Sequence, residues 1–224
     1  MRHALDWFVP ALAAHAAPLA GALGIERTID RRAVALTFDD GPHAEGTPAV
    51  LEALAAAGAR ATFFLVGEQV RARPSLAGDI AAAGHEIALH GDRHVLLLRR
   101  RVPSLALDLE RAVATIEDAT GRTPALYRPP YGVFSSGALA LVRERGWRPV
   151  LWSRWGRDWP RSATPASIAR RAADGLRPGD VVLLHDSDAY SSDGSWRRTA
   201  AALPSVLAAI AALGVPAEAV TQST

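Results

Sequence analysis

Residues 33–43 read AVALTFDDGPH. A strand-like run, Ala33 to Phe38, stops abruptly at two adjacent carboxylates, and a Gly-Pro turn follows. Neighbouring side chains on a strand point to opposite faces, so Asp39 and Asp40 cannot both belong to a solvated face of a buried strand. Asp-Gly and Gly-Pro also punctuate ordinary solvated turns. The surrounding pattern has to decide between a turn and a built site.

Working outward, short apolar runs alternate with helical patterns. After the first run a helix is expected from Thr47-Pro48, with Thr as N-cap and Pro at the first helical position, to Gly58. A strand over 61–66 and a helix over about 68–83 follow, closed by Gly84, and then a strand over 85–90. Ser104 can cap a helix whose apolar stripe is Leu105, Leu109, Val113 and Ile116. Strands over 125–128, 148–153 and 180–185 are separated by helices over 136–145 and from Thr164-Pro165 to Gly175. A last helix over about 195–213 precedes a short strand in VPAEAV. Strands separated by helices argue for parallel pairing. Runs that are apolar throughout argue for a sheet covered on both faces. The pattern is α/β with seven βα-type units, compatible with a barrel or a doubly wound sheet.

The bulk numbers fit one such domain. The chain has 224 residues, 49% hydrophobic and 21% charged, with a net charge of +2. All 25 basic residues are Arg, which with the heavy use of Ala points to a GC-rich bacterial genome. There is no long basic block to suggest nucleic acid, and no G-x-G-x-x-G or Walker loop to suggest a nucleotide. Arg99-Arg100-Arg101 reads as a solvated loop or as a contact for an anionic polymer or phosphate. With no cysteine there is neither a disulfide framework nor thiolate chemistry. Residues 1–30 read as an N-terminal apolar segment ahead of a single domain over 31–224. The segment has a basic start and an Ala-His-Ala that mimics a cleavage site, but Asp6, Pro10, His15 and Pro18 interrupt it. It lacks the roughly 20 apolar residues that span a bilayer, and an amphipathic helix on the barrel or a membrane surface fits it equally. The segment leaves export open and leans slightly to a cytoplasmic or membrane-surface protein; a monomer is expected.

The polar residues carry the functional signal. Asp39 and Asp40 follow the first strand, His90 ends the third with His94 four residues on, Arg128 ends the fourth, Asp158 lies past the fifth, and His185 ends the sixth. In a parallel barrel those carboxyl ends share one rim, where active sites are built. His90 and His94 at a spacing of four, with an Asp on the same rim, make three ligands for a metal that keeps an open position. Two adjacent carboxylates then divide two jobs: one binds the cation, the other takes a proton from an activated water. Arg128 can hold a carboxylate bidentately. His185, if not simply a satisfied core histidine, can protonate a leaving group, and Asp158 can keep it cationic. Backbone N–H groups of PPYG can meet a developing oxyanion.

These motifs resemble, in order, those of the polysaccharide deacetylase family, the NodB-homology domains of carbohydrate esterase family 4. TFDDGP is similar to the first motif and implies Asp39 as base and Asp40 as metal ligand. HGDRH is similar to the second, with His90 and His94 as the other ligands. RPPYG implies that Arg128 orients the base and that Tyr131, beside Pro130, faces the oxyanion and the substrate. GRDW implies Asp158 as partner of the acid and Trp159 as a pocket wall. LLHD implies Leu184 in the acetyl pocket and His185 as the acid. The resemblance covers about residues 33–220. It implies a distorted (β/α)7 barrel and metal-dependent removal of N-acetyl groups from amino sugars of a glycan or glycolipid, with O-acetyl esterase, deformylase or an inactive carbohydrate-binding homologue as alternatives. One divalent cation is implied, Zn2+ first, with Co2+ or Ni2+ compatible. Two departures stand out: Gly91 replaces the Ser or Thr that usually braces the second motif, and Trp155 stands where the fourth often has an acid. The polar segment 187–199 beside the proposed acid is a place where substrate choice could be set.

Overall fold

The computed structural model describes residues 17–221, so the first sixteen residues of the expected N-terminal segment fall outside it. In chain order the strands are β1 (Val34–Asp39), β2 (Thr62–Leu65), β3 (Glu86–Leu89), β4 (Leu126–Tyr127), β5 (Arg148–Pro149), β6 (Arg154–Trp155), β7 (Val181–His185) and β8 (Ala217–Glu218). The helices are α1 (Ala17–Ala22), α2 (Gly46–Ala56), α3 (Gly67–Ala72), α4 (Pro74–Ala82), α5 (Val102–Thr120), α6 (Ser136–Glu144), α7 (Pro165–Ala173) and α8 (Ser195–Ala212). The strands pair in the order β5-β4-β3-β2-β1-β7-β6, with β8 beside the start of β1. Every pairing is parallel. The sheet curls into a distorted (β/α)7 barrel, and all six residues of β1 are buried, as a strand packed on both faces must be.

The path has seven strands, but their membership differs from the sequence reading. The run 148–153 does not form one strand. It breaks after Pro149 and resumes as β6 at Arg154, so β5 and β6 end the sheet on opposite sides of a gap. VPAEAV lies off the path as β8. Residues 25–29 enter the gap. Glu26 bridges Val150 and Thr28 bridges Asp180. The Glu26 N–H donates to Pro149 O (2.9 Å), Leu151 N–H to Glu26 O (2.7 Å) and Ile29 N–H to Gly179 O (2.8 Å). Buried backbone groups at an open edge need such partners, and Ile25 and Ile29 join the core as they supply them.

Local chemistry accounts for the other departures. The helix expected over 68–83 is two, broken at Arg73 (φ −145°, ψ 61°) because Pro74 disfavours helical geometry in the residue before it. α2 begins at Gly46, not after Thr47, whose hydroxyl is drawn off to His43 N–H and the Asp186 carboxylate. α5 begins at Val102, ahead of the expected Ser104 cap. α7 keeps its expected start, with Thr164 and Ser167 forming a reciprocal capping box.

Strand register places the chemistry. Asp39 stands level with His185 on β7 and with Phe64 on β2, and Leu89 stands level with Leu65 and Tyr127. Asp39, His185, and the residues just past β3 and β4 thus emerge on one rim. A hollow of about 540 Å³ near the other end, between α2 and α8, is lined by Ala, Gly, Pro, Leu, Ile and Val and offers no ionisable side chain. No helix among the described residues is long and apolar enough to cross a membrane.

Candidate active site

Asp40, His90 and His94 each offer a ligand atom, and these lie within 4.8 Å of one another. Asp40 leaves β1 with φ +78°, a left-handed conformation uncommon outside glycine. Its Oδ1 is 3.4 Å from Nε2 of His90 and 3.4 Å from Nε2 of His94. That oxygen is buried and accepts no hydrogen bond. His90 Nδ1 lies 2.8 Å from the Arg128 carbonyl. A carbonyl only accepts, so Nδ1 carries a proton, and Nε2 is the nitrogen that faces Asp40. Burial, partly opposed by the charge of Asp40, pushes the His94 pKa down to about 4, which keeps that imidazole neutral. Burial would raise the Asp40 carboxyl, but the approach of His90 and the positive charge of His185 outweigh it and pull it to about 2. A neutral His94 imidazole, the His90 ring with Nε2 facing the same point, and an ionised carboxylate with an orphaned oxygen fit a divalent cation.

Asp39 faces the same space under different constraints. Arg128 is fully buried, and its Nη1 donates to Asp39 Oδ1 (2.6 Å) and Thr37 Oγ1 (2.9 Å). The grip is not the bidentate one read from the sequence. Nη2 donates to Leu151 O (3.0 Å) and Nε to Val150 O (3.4 Å), because the chain crossing from β5 to β6 leaves carbonyls that need donors. Asp39 Oδ2 is thereby left out of the arginine contact, 3.8 Å from His90 Nε2.

His185 closes the opposite side. Its Nδ1 donates to Asp158 Oδ1 (2.7 Å), while Asp158 Oδ2 accepts from the His185 N–H (2.8 Å) and Thr199 Oγ1 (2.8 Å). Burial opposes charge on His185, but the Asp158 carboxylate, aided by Asp40 and Asp39, overrides it and raises the pKa to about 10. Asp158 is held below its ordinary value: burial acts against this, and the charge and hydrogen bonds of His185 exceed it.

A cavity of about 300 Å³ joins these groups. Tyr131, Trp152, Trp155 and Trp159 make its aromatic walls, and Tyr190 and Ser191 enter from the loop after β7. Leu183 lines it and Leu184 does not; this corrects the acetyl-pocket assignment, for strand alternation puts Leu183 on the face of His185 and turns Leu184 Cδ2 toward Gly156. Pro130 is buried and also lies off the wall, where it opens the turn Pro130–Gly132. The two bonds of that turn come from Gly132 and Val133, so neither uses the N–H of Tyr131, a residue at φ +62°. Asp40, Tyr131 and Arg157 are the non-glycine residues with positive φ among those described, and each adjoins this cavity or a residue that lines it. Strain of this kind gathers at functional sites.

Gly91 finds its explanation here. It sits at φ +100°, where a serine would be strained. The histidine loop is braced from elsewhere. Asp108 of α5 accepts the Asp92 N–H (3.2 Å), and the buried Asp92 carboxylate pairs with Arg71 and with Arg111 (3.3 Å). Neither acid stood out in the sequence, nor did Thr199 or Tyr190, since each acts across more than a dozen residues of chain, while Leu183 is told from Leu184 only by strand phase. Asp186 was missed too. It is buried with Oδ1 unpartnered, its carboxyl is pushed up to about 7 by burial, and Gly41 approaches so closely that a Cβ there would stand 2.5 Å from its Oδ2.

Comparison with known proteins places this rim in a family. Residues 26–150 match the polysaccharide deacetylase family. The chain is 34% identical over 194 residues to a chitooligosaccharide deacetylase of Azorhizobium caulinodans, covering 84% of this chain and 92% of that one. It is 34% identical over 180 residues to a peptidoglycan-N-acetylglucosamine deacetylase of Bacillus cereus, covering 80% and 81%. A crystal structure of a peptidoglycan N-acetylglucosamine deacetylase superposes with a TM-score of 0.82 at 26% identity, over 90% of this chain and 93% of that one. A family match over more than half of the chain, with relatives a third identical across most of it, makes the protein a member of the polysaccharide deacetylase family.

Proposed function

We propose that the protein is a metal-dependent hydrolase that removes N-acetyl groups from amino sugars of a polysaccharide, oligosaccharide or glycolipid, releasing acetate. One observation carries the reading. A carboxylate with one oxygen clear of its arginine and an imidazole held protonated face a single aromatic-walled cavity from adjacent strands in register. An amide nitrogen leaves only once protonated, and His185 is placed to give that proton. The names of the relatives, chitooligosaccharide deacetylase and peptidoglycan-N-acetylglucosamine deacetylase, point to the same bond.

Asp40, His90 and His94 would hold one divalent cation, Zn2+ by preference, with Co2+ and Ni2+ compatible with the same donors. When bound it supplies Lewis acidity toward the attacking water and the acetyl carbonyl. Asp39 accepts the proton of that water on Oδ2, because Oδ1 is committed to Arg128. Arg128 holds Asp39 aimed through its Oδ1. The Tyr131 N–H, presented by the turn that Pro130 opens, meets the oxygen as it gains charge. His185 gives its Nε2 proton to the nitrogen as the C–N bond breaks, while Asp158 holds Nδ1. Trp159 and its aromatic neighbours offer flat faces to the C–H surface of a sugar ring. Every group comes from one chain, so a monomer suffices.

The test is acyl release by the Zn2+-loaded protein from N-acetyl chitooligosaccharides, peptidoglycan, and O-acetyl and N-formyl analogues, beside Asp39→Asn. N-acetyl substrates should lead. Failure to release an acyl group from any of them would favour an inactive carbohydrate-binding role. O-acetyl preference would make the protein an esterase.

A further inference from the structure

The two histidines of HGDRH are held by different means. A metal-binding histidine ordinarily donates its second ring N–H to an acceptor that fixes the tautomer and the ring plane. His90 does so, to the Arg128 carbonyl. His94 does not: its Nδ1 is buried and makes no hydrogen bond. Its ring is instead covered by Tyr190, with centroids 4.3 Å apart and planes 11° from parallel, and touched edge-on by Tyr131 at 4.5 Å.

We propose that Tyr190 is a positioning residue for the metal centre, fixing the His94 imidazole by ring stacking where His90 is fixed by a hydrogen bond. The phenol that places the ring is itself pinned. Its hydroxyl donates to Glu68 Oε1 (2.5 Å) and accepts from Gln69 Nε2 (3.1 Å). Glu68 and Gln69 lie in the first turn of α3, and the same turn grips the histidine loop from behind. The Gly67 N–H donates to Gly91 O (2.9 Å) and the Glu68 N–H to Asp92 O (2.9 Å). One helix end thus sets both the backbone that carries His94 and the ring that covers it. The loop after β7 reaches the metal side of the rim through Tyr190, although its strand supplies the acid on the other side.

This inference rests on the cation site proposed above, and the experiment separates the two. Metal-free protein is titrated with Zn2+ against a chromophoric chelator, and the visible absorption of the Co2+-loaded form is recorded. Tyr190→Ala should weaken Zn2+ binding by about 10–100-fold, the usual cost of losing an outer support of a ligand, and should alter the Co2+ spectrum. Tyr190→Phe, which keeps the ring, should bind near the wild-type affinity. Tyr190→Leu keeps apolar bulk without the stacking plane and should resemble the alanine variant. It replaces that variant if melting of the metal-free proteins shows the alanine form to be unfolded. If wild type and His94→Ala both fail to bind Zn2+, the cation site falls. If wild type binds and Tyr190→Ala or Tyr190→Leu binds as tightly with an unchanged Co2+ spectrum, the role of Tyr190 alone is overturned. A loss in Tyr190→Phe as large as in Tyr190→Ala also overturns stacking as the cause.

Discussion

His94 and His185 border one cavity and are driven in opposite directions, the first down to about 4 and the second up to about 10. Burial acts the same way on both, against the charged form. The difference lies at Nδ1. His185 donates there to a buried carboxylate that is in turn held by Thr199 and a backbone N–H. His94 has no such partner and lies against two tyrosine rings. One side of the rim therefore offers lone pairs and the other a proton, the division that metal-assisted amide hydrolysis needs. A residue type does not decide its role; the atom opposite its second nitrogen does.

The sharpest way to break this contrast is on the metal side. His90→Ala or His94→Ala should bring Zn2+ content, by elemental analysis, to background and abolish turnover. Asp39→Asn should leave Zn2+ content intact and lower kcat by about 10²–10⁴-fold, the usual contribution of a general base. Metal lost in Asp39→Asn but kept in the histidine variants would reverse the assignment of the two carboxylates.

On the proton side the effect has a sign in pH. His185 must be protonated to act, so activity is lost as pH rises through its pKa. Asp158→Asn removes the main charge that raises this pKa. The alkaline limb of kcat/KM should then move to lower pH, with a fall of about 10²-fold near neutrality and Zn2+ content unchanged. A limb that stays in place would show that another group titrates there. The smallest effect is expected from Thr199→Val, which removes one hydrogen bond to Asp158. Such a bond is worth about 0.5–1.5 kcal/mol, so the limb should move the same way by no more than about one pH unit. A move in the opposite direction would mean that Thr199 weakens the Asp158–His185 pair.

Much of this was legible because it is local. Ala33 to Phe38 read as a buried strand, glycines and prolines marked the breaks, and the ionisable residues stood at carboxyl ends, which a parallel sheet gathers on one rim. What stayed hidden depends on chain that is distant in sequence. The run 148–153 looked continuous, and nothing near it tells that 25–29 fills the gap where it breaks. Arg128 promised two prongs for a carboxylate, but the carbonyls of Val150 and Leu151 take the remaining nitrogens. Leu183 and Leu184 are chemically the same, and only strand phase tells which one faces the cavity.

The amino-acid order by itself determined the alternation of strands and helices, the family motifs and the set of groups available for hydrolysis, because hydrophobic period, turn residues and carboxyl-end placement are properties of neighbouring positions. Tertiary structure decided which oxygen of Asp39 is free, which histidine keeps a proton and which loses it, and which ring stands against His94. Each of these depends on the dielectric and on the partner atom a few ångströms away in space, and that partner comes from a segment far along the chain.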